Sequence, residues 1–163
     1  MPDLDALNHA SVDQAKSLLA DCCGSRRWVD AMVVARPFSS AQALTARADS
    51  VWRTLDRDDV LEAIGHHPRI GDTRGASAAE ASEQARAIRA DGDIKDAIAR
   101  GNQQYEARFG HIYLVCATGK SGTELLSILQ SRLTNDAETE LRVAAEEQRK
   151  ITELRLRRLV GAR

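Results

Sequence analysis

Aromatic residues make up only 4% of the 163-residue chain, and cysteine is scarce, with 3 residues. A core with so few rings must be built from Leu, Ile, Val and Ala, and a composition rich in Ala and Leu favours helices over strands. The cysteines, Cys22, Cys23 and Cys116, form no CxxC pair, and adjacent cysteines are poorly placed to bridge each other. We therefore expect reduced thiols in an intracellular compartment.

Neither sign of charge is in excess, because 23 basic residues are balanced by 24 acidic ones. This balance gives no electrostatic reason to expect a nucleic-acid or membrane partner. No run approaches the roughly 18 apolar residues of a membrane span. The opening MPDLDALNHA lacks the features of a secretory signal, and the final GAR is not a peroxisomal address of the Ser-Lys-Leu type. The expected location is the cytoplasm.

Helix signals recur along the whole chain. Residues with capping side chains stand before stretches whose apolar residues keep helical spacing. These caps are Ser11, Ser25, Ser39, Asp56, Ser77, Ser121 and Asn135. No linker, repeat or low-complexity tract interrupts the pattern, and the length fits one domain. The sequence predicts a single compact all-α domain, residues 1–163, of about eight helices.

Two stretches need interpretation. The apolar run IYLVCA, residues 112–117, fits a short buried strand or the start of a buried helix, and periodicity does not decide between them. The long last predicted helix contains the basic stretch RKITELRLRRLV, with acids such as Glu146, Glu147 and Glu153 nearby. We interpret this face as solvated rather than as an RNA-binding surface, because the whole chain is near neutral.

Metal and phosphate motifs are weak in this sequence. A zinc site needs three or four converging His, Cys or carboxylate ligands. His66 and His67 are adjacent, and neighbouring side chains of an extended segment point to opposite sides, so they are poorly placed to share an ion. The GKS at 119–121 lacks the earlier glycine of a phosphate-binding loop, because position 114 is Leu. We expect no metal and no P-loop.

The stretch GHHPRIGD, residues 65–72, is the best candidate for chemistry. Pro68 favours an extended backbone at His67, in a loop of the kind that often carries functional residues. Imidazole ordinarily titrates closer to neutral pH than any other side chain, so His67 suits proton transfer. The alternative is that His67 only caps the preceding helix. The residues by themselves leave both interpretations open.

A series of motifs runs through the chain in a specific order: RPFSS (36–40), HPRIGD (67–72), SEQ (82–84), GNQQYEARFGHIYLVCATGKS (101–121) and RL.ND (132–136). Together they resemble the decarboxylases of 2-oxo-4-hydroxy-4-carboxy-5-ureidoimidazoline (OHCU), which act in the breakdown of urate to allantoin. The resemblance covers essentially the whole chain. Any one of these pieces alone would be a weak signal, whereas their succession is specific.

The resemblance implies an all-helical fold, a homodimer, no cofactor and a small-molecule substrate, OHCU. It implies that His67 is the catalytic acid/base, that Glu83 acts with it, and that Glu83 and Gln84 hold the substrate. The other implied substrate-binding residues are Pro68, Arg132 as a cationic contact, and the main-chain groups of Leu114, Val115, Cys116 and Ala117. The long last helix also favours a homodimer, because it has more apolar positions than one face of a monomer helix needs.

Two other functions stay open. A ureide or hydantoin hydrolase would need a group that activates water, usually a metal, and the ligand spacing argues against one. A non-catalytic helical interaction module would use the last helix as a partner surface, and His67 would be a simple cap. Sensitivity to chelators would favour the hydrolase, and a stable hetero-complex without turnover would favour the interaction module.

Overall fold

This computed structural model describes residues 3–70 and 92–162. The regular structure of these residues consists of eight α-helices, and they include no β-strand. In chain order the helices are α1 (Leu4–His9), α2 (Val12–Ala20), α3 (Arg26–Val34), α4 (Ala41–Thr54), α5 (Arg57–Gly65), α6 (Gly92–Phe109), α7 (Gly122–Arg132) and α8 (Ala137–Leu159). The predicted all-α fold class is confirmed. The helix predicted after Ser77 lies outside the described residues. None of the eight helices has the length and apolar character needed to cross a bilayer.

Four predicted helix caps are confirmed. The hydroxyls of Ser11, Ser25 and Ser121 each accept a hydrogen bond from the main-chain N–H three residues further on. Asp56 does the same before α5, where its carboxylate lies 3.0 Å from the nitrogen of Asp59. That hydrogen bond is the largest cause of the lowered pKa of Asp56. The caps satisfy N–H groups that the first turn of a helix leaves without partners.

Two predicted caps are wrong by one residue. Ser40, rather than Ser39, caps α4, and its hydroxyl accepts from a main-chain N–H at 3.0 Å. Asp136, rather than Asn135, caps α8 through a carboxylate that accepts a main-chain N–H at 2.7 Å. Each pair consists of adjacent residues that both cap well, so side-chain type alone does not select one of them.

The sequence prediction omits α1. Asp3 caps this short helix by accepting a main-chain N–H at 2.8 Å. A helix of 6 residues is too short to display a clear apolar period. Tertiary contacts hold it instead: Leu7 is fully buried, and the Asn8 side chain both donates to and accepts from the main chain of Phe38.

The described residues form two compact units. The first comprises residues 3–63 and 148–162, and the second, which contains most of the candidate site residues, comprises residues 64–70 and 92–147. A single domain over 1–163 stays a prediction. The core of the second unit consists of Ile70, Ile98, Tyr105, Tyr113, Val115, Ala117, Leu125 and Leu129.

The apolar run 112–117 is neither strand nor helix. Gly110, with a φ of 79°, follows the end of α6 in a left-handed conformation that glycine adopts without steric cost. From Tyr113 to Ala117 every residue is buried. Both alternatives drawn from the sequence are therefore wrong in conformation, although the apolar composition correctly indicates burial.

Candidate active site

The loop after α5 carries the two histidines. His66 is exposed and His67 is half-buried, and the His67 N–H donates to the Ile64 carbonyl oxygen at 3.3 Å. Pro68 is also half-buried and keeps His67 from continuing the helix that ends at Gly65. The structure thus places the pair His67–Pro68 in a loop directly behind a helix end, as the sequence predicts.

Two contacts anchor the end of this loop to α6. The Arg69 guanidinium forms a two-pronged ion pair with Glu106, with Nε 2.9 Å from Oε2 and Nη2 2.8 Å from Oε1. The carbonyl oxygen of buried Ile70 accepts from the side-chain amide of Asn102 at 3.2 Å. The exposed ion pair orients the loop more than it stabilises the fold, since such pairs are worth about 0–1 kcal/mol. Burial of Ile70 is the stronger anchor.

Arg132 is a buried cation whose hydrogen bonds go to protein groups. Its Nε lies 2.6 Å from Oε1 of Glu140, and its Nη1 lies 2.6 Å from the carbonyl oxygen of Leu114. The guanidinium carbon is 4.9 Å from the centre of the Tyr113 ring, within cation–π range. Burial by itself would lower the pKa of Arg132, but the hydrogen bond and negative charge of Glu140 raise it above the ordinary value.

Glu140 is the centre of this network. Its Oε1 also accepts from the Tyr105 hydroxyl at 2.5 Å, and its Oε2 accepts from the Asn135 amide at 3.0 Å. Burial and then the Glu140 hydrogen bond raise the pKa of Tyr105, which therefore stays protonated as a donor. A fully buried carboxylate is stable here because a guanidinium, a phenol and an amide supply its hydrogen bonds.

A second buried carboxylate, that of Glu147, binds the main chain of Cys116. Glu147 is 8% exposed, and its Oε1 accepts the main-chain N–H of Cys116 at 3.1 Å. The Nζ of Lys120 donates to the Cys116 carbonyl oxygen at 2.9 Å. The interpretation of the acids of the last helix as solvated is therefore wrong for Glu147, because that carboxylate has an N–H to satisfy within the protein.

The predicted site residues fall into three groups. Glu83 and Gln84 lie outside the described residues. His67 and Pro68 occupy the loop after α5, and the structure brings Arg132 into direct contact with the predicted ring-binding segment through Leu114. That segment consists of Leu114, Val115, Cys116 and Ala117, all of them buried.

Sequence reasoning missed Glu140 and Glu147, although a signal was present. The two glutamates are seven positions apart on α8, and Ala144 lies between them at a spacing that keeps all three on one helix face. Ala144 and Glu140 are fully buried. An apolar residue at helical spacing from two acids could have indicated carboxylates that point into the protein.

The thiols are buried and carry no disulfide bond. Burial raises the pKa of Cys22 to about 12 and that of Cys23 to about 11, so both are protonated at neutral pH and are poor nucleophiles and ligands. Within residues 3–70 and 92–162, no group of three or more His, Cys, Asp or Glu side chains could hold a metal ion.

Comparison with known proteins gives a consistent set of relatives. The family model described as OHCU decarboxylase matches residues 8–157. A 2-oxo-4-hydroxy-4-carboxy-5-ureidoimidazoline decarboxylase of Amia calva is 33% identical over 131 residues, covering 77% of this chain and 75% of that protein. A solved structure of an OHCU decarboxylase in the presence of (S)-allantoin superposes with a TM-score of 0.77 at 31% identity, covering 87% of this chain and 96% of that one.

Some relatives are much longer. The uric acid degradation bifunctional protein TTL of Arabidopsis thaliana is 34% identical over 145 residues, which cover 85% of this chain and 45% of that protein. The chain thus spans less than half of the length of this relative. The resemblance drawn from the sequence motifs is confirmed by the family match and by these relatives.

Proposed function

The chain belongs to the OHCU decarboxylase family, and on that basis we propose that it converts OHCU to (S)-allantoin and CO2 in urate degradation, without a cofactor. The observation that carries the proposal is the likeness in sequence and fold to a solved OHCU decarboxylase over 87% of the chain. The position of His67 and Pro68 in the loop behind α5 supports it, because these two residues begin the HPRIGD motif of the sequence and lie outside a helix.

The proposed reaction does not require an external electron sink. OHCU carries a carboxylate and a hydroxyl on one ring carbon, and the next ring carbon is doubly bonded to nitrogen. When the bond to the carboxylate breaks, the electron pair passes into this neighbouring C=N bond. The protein then has three tasks: to align the breaking bond with the C=N system, to stabilise the enol-like intermediate, and to deliver a proton to one face.

His67 is the proposed acid/base group. It hydrogen-bonds the substrate hydroxyl and moves the proton, a role that suits an imidazole near neutral pH. Pro68 lines the pocket beside it. Glu83 is proposed as an acceptor for N–H groups of the substrate and as the second catalytic residue, and Gln84 as a group that both donates and accepts.

The buried run Leu114–Ala117 is proposed to bind the ring through its main chain. Main-chain N–H and C=O groups match the alternating donors and acceptors of a ureide ring, and such pairing discriminates strongly between close analogues. Arg132 is proposed to contribute positive charge on this side of the site. The Arg132→Lys variant distinguishes a direct contact between Arg132 and the substrate from a role through Leu114, whose carbonyl oxygen it binds.

We further propose a homodimer and a cytoplasmic location. The dimer is proposed from the apolar positions that the sequence gives to the last predicted helix, which is the 23-residue α8, and from the prevalence of twofold dimers among soluble oligomers. Both stay predictions. Light scattering at micromolar concentration tests the dimer, and a monomer mass would contradict it.

A stereochemical assay tests the function. OHCU is generated in place from urate by the two upstream enzymes, this protein is added, and optical activity is followed. Spontaneous decay gives racemic allantoin, so the proposal predicts rapid formation of the (S) enantiomer only when the protein is present. A racemic product at the spontaneous rate would refute the activity. Dialysis of the protein against a strong chelator is the control, and activity lost by dialysis and restored by zinc would favour a hydrolase.

A further inference from the structure

The segment Tyr113–Ala117 is buried main chain outside any helix or strand. Such a segment lacks the ladder that normally satisfies main-chain N–H and C=O groups. Its alternate residues Tyr113, Val115 and Ala117 belong to the hydrophobic cluster of the second unit, whereas Leu114 and Cys116 do not. This period of two is typical of an extended chain.

Three charged side chains hold the main chain of the intervening residues. Arg132 Nη1 binds the Leu114 oxygen at 2.6 Å. Glu147 accepts the Cys116 N–H at 3.1 Å, and Lys120 donates to the Cys116 oxygen at 2.9 Å. In an extended chain the N–H and C=O groups of alternate residues point to the same edge. The three side chains therefore occupy one edge of the segment with charge-assisted hydrogen bonds, which are the strong kind.

The other edge carries the main-chain groups of Val115. Within residues 3–70 and 92–162, neither the Val115 N–H nor its C=O has a hydrogen-bond partner, although the residue is only 3% exposed. A buried pair of this kind costs free energy until it is satisfied. A donor beside an acceptor on one residue matches the N–H and C=O that neighbour each other in a cyclic ureide.

We propose that Arg132, Lys120 and Glu147 are positioning residues, which hold one edge of the segment so that the Val115 main chain on the other edge reads the substrate ring. The proposal rests on the proposed function. It gives Arg132 an indirect role, acting through Leu114 and not on the substrate carboxylate.

The surroundings of Arg132 support this indirect role. The residue is 5% exposed, and Glu140 binds both Nε and Nη2 of its guanidinium, at 2.6 and 2.5 Å. With Nη1 on Leu114 and the Tyr113 ring 4.9 Å away, the guanidinium is fixed by protein groups on several sides. Because the guanidinium is held in this way, it fixes the position of the Leu114 carbonyl group that it binds.

The test compares Glu147→Ala with Glu147→Gln, with Glu146→Ala as the control, because Glu146 is an exposed carboxylate on the same helix. The readouts are KM and kcat for OHCU and the inhibition constant of (S)-allantoin, which keeps the ring but lacks the carboxylate. Glu147→Ala is expected to raise KM and the inhibition constant by the same factor, roughly tenfold, as for loss of a hydrogen bond to a charged group. Glu147→Gln should recover most of this loss, since its amide oxygen still accepts the Cys116 N–H, and Glu146→Ala should stay within about twofold.

Arg132→Lys separates the indirect role from a direct one. Lysine keeps the charge but cannot bind Glu140 and the Leu114 oxygen in the two-pronged manner of arginine. The proposal expects weaker binding of OHCU and of (S)-allantoin to a similar extent. A variant that binds OHCU weakly and (S)-allantoin normally would overturn it, because the guanidinium would then meet the carboxylate directly. If Arg132→Lys does not fold, the comparison of Glu147→Ala with Glu147→Gln decides the proposal alone.

Failure of this inference is distinguishable from failure of the proposed function. The unmodified protein is assayed first, and a racemic product at the spontaneous rate would refute the activity itself. An active protein in which Glu147→Ala leaves both KM and the inhibition constant unchanged would refute only the positioning role. A fall in thermal stability with unchanged constants, equal for Ala and Gln, would assign Glu147 a structural role and would also refute the proposal.

Discussion

Glu140 and Arg132 form an ion pair out of contact with solvent: Oε1 of the carboxylate lies 2.6 Å from Nε and 2.5 Å from Nη2 of the guanidinium. The carboxylate is fully buried and the guanidinium is 5% exposed. Charges in such a position depend on each other, because neither has water to replace a lost partner. The pair joins α7 to α8 within the second unit.

Removal of one partner is expected to destabilise the fold strongly. Glu140→Ala leaves a buried, uncompensated guanidinium, and breaking a buried pair in this way costs about 3–5 kcal/mol. The double variant Glu140→Leu/Arg132→Met removes both charges and is expected to recover most of the loss. Urea unfolding followed by circular dichroism gives the free energies. A Glu140→Ala loss no larger than that of Arg69→Ala, which breaks an exposed pair worth about 0–1 kcal/mol, would contradict this account.

The close packing of α6 on α7 gives a second prediction. A Cβ added to Gly101 would lie 2.5 Å from Cδ2 of Leu129, a fully buried side chain in the core cluster. Gly101→Ala should therefore cost about 1–3 kcal/mol of unfolding free energy by overpacking. The control is Gly65→Ala, where a Cβ meets nothing within 4 Å. If the double variant Gly101→Ala/Leu129→Val is no more stable than Gly101→Ala, steric conflict with Leu129 is not the cause.

The buried thiols predict a specific loss of stability at alkaline pH. Burial raises the pKa of Cys22 to about 12 and that of Cys23 to about 11, from an ordinary value of 9.0. Between pH 9 and pH 11 to 12, the thiols of the unfolded chain have released protons that the thiols of the folded chain still hold. Their contribution to the free energy of unfolding is thus fully present below pH 9 and is lost as the pH rises toward 11 to 12.

Urea unfolding at about pH 8 and about pH 10 measures this effect. The unmodified protein is expected to lose more stability between the two conditions than the Cys22→Ala/Cys23→Ala variant. The buried phenols of Tyr105 and Tyr113 are common to both proteins and cancel in the comparison. Equal losses in the two proteins would show that the thiols do not titrate differently on unfolding.

Features of this chain that depend on neighbouring residues were predictable from the sequence, whereas features that depend on long-range contacts were not. The positions of His67 and Pro68 were predictable, because a helix stop at Gly65 and a proline are local signals. The caps at Ser11 and Ser121 were predictable for the same reason. The conformation of 112–117 was not, because buried irregular chain and a buried strand share the same apolar composition.

The roles of the buried glutamates depend on distant partners. Glu147 accepts an N–H from a residue 31 positions away, and Glu140 accepts a hydroxyl 35 positions away. No local pattern specifies which side chain will arrive there after folding. A charged residue near other charged residues is usually solvated, and that general tendency gave the wrong interpretation of Glu147.

His67 is proposed to transfer the proton, and its neighbour His66 is not. His67→Asn keeps polarity and approximate size but cannot transfer protons near neutral pH, and general acid/base catalysis usually contributes about 10²–10⁴-fold. His66, which is exposed, is the matched control, and His66→Asn should cost roughly tenfold or less. Circular dichroism verifies that both variants keep their helices.

The decisive measurement is the initial rate of (S)-allantoin formation by His67→Asn and His66→Asn, with OHCU generated in place. The account predicts that His67→Asn is slower than the unmodified protein by about 10²–10⁴-fold and that His66→Asn stays within about tenfold of it. A folded His67→Asn protein with unchanged rate would contradict the account and leave HHP as a turn, and loss of activity in His66→Asn alone would reverse the two roles.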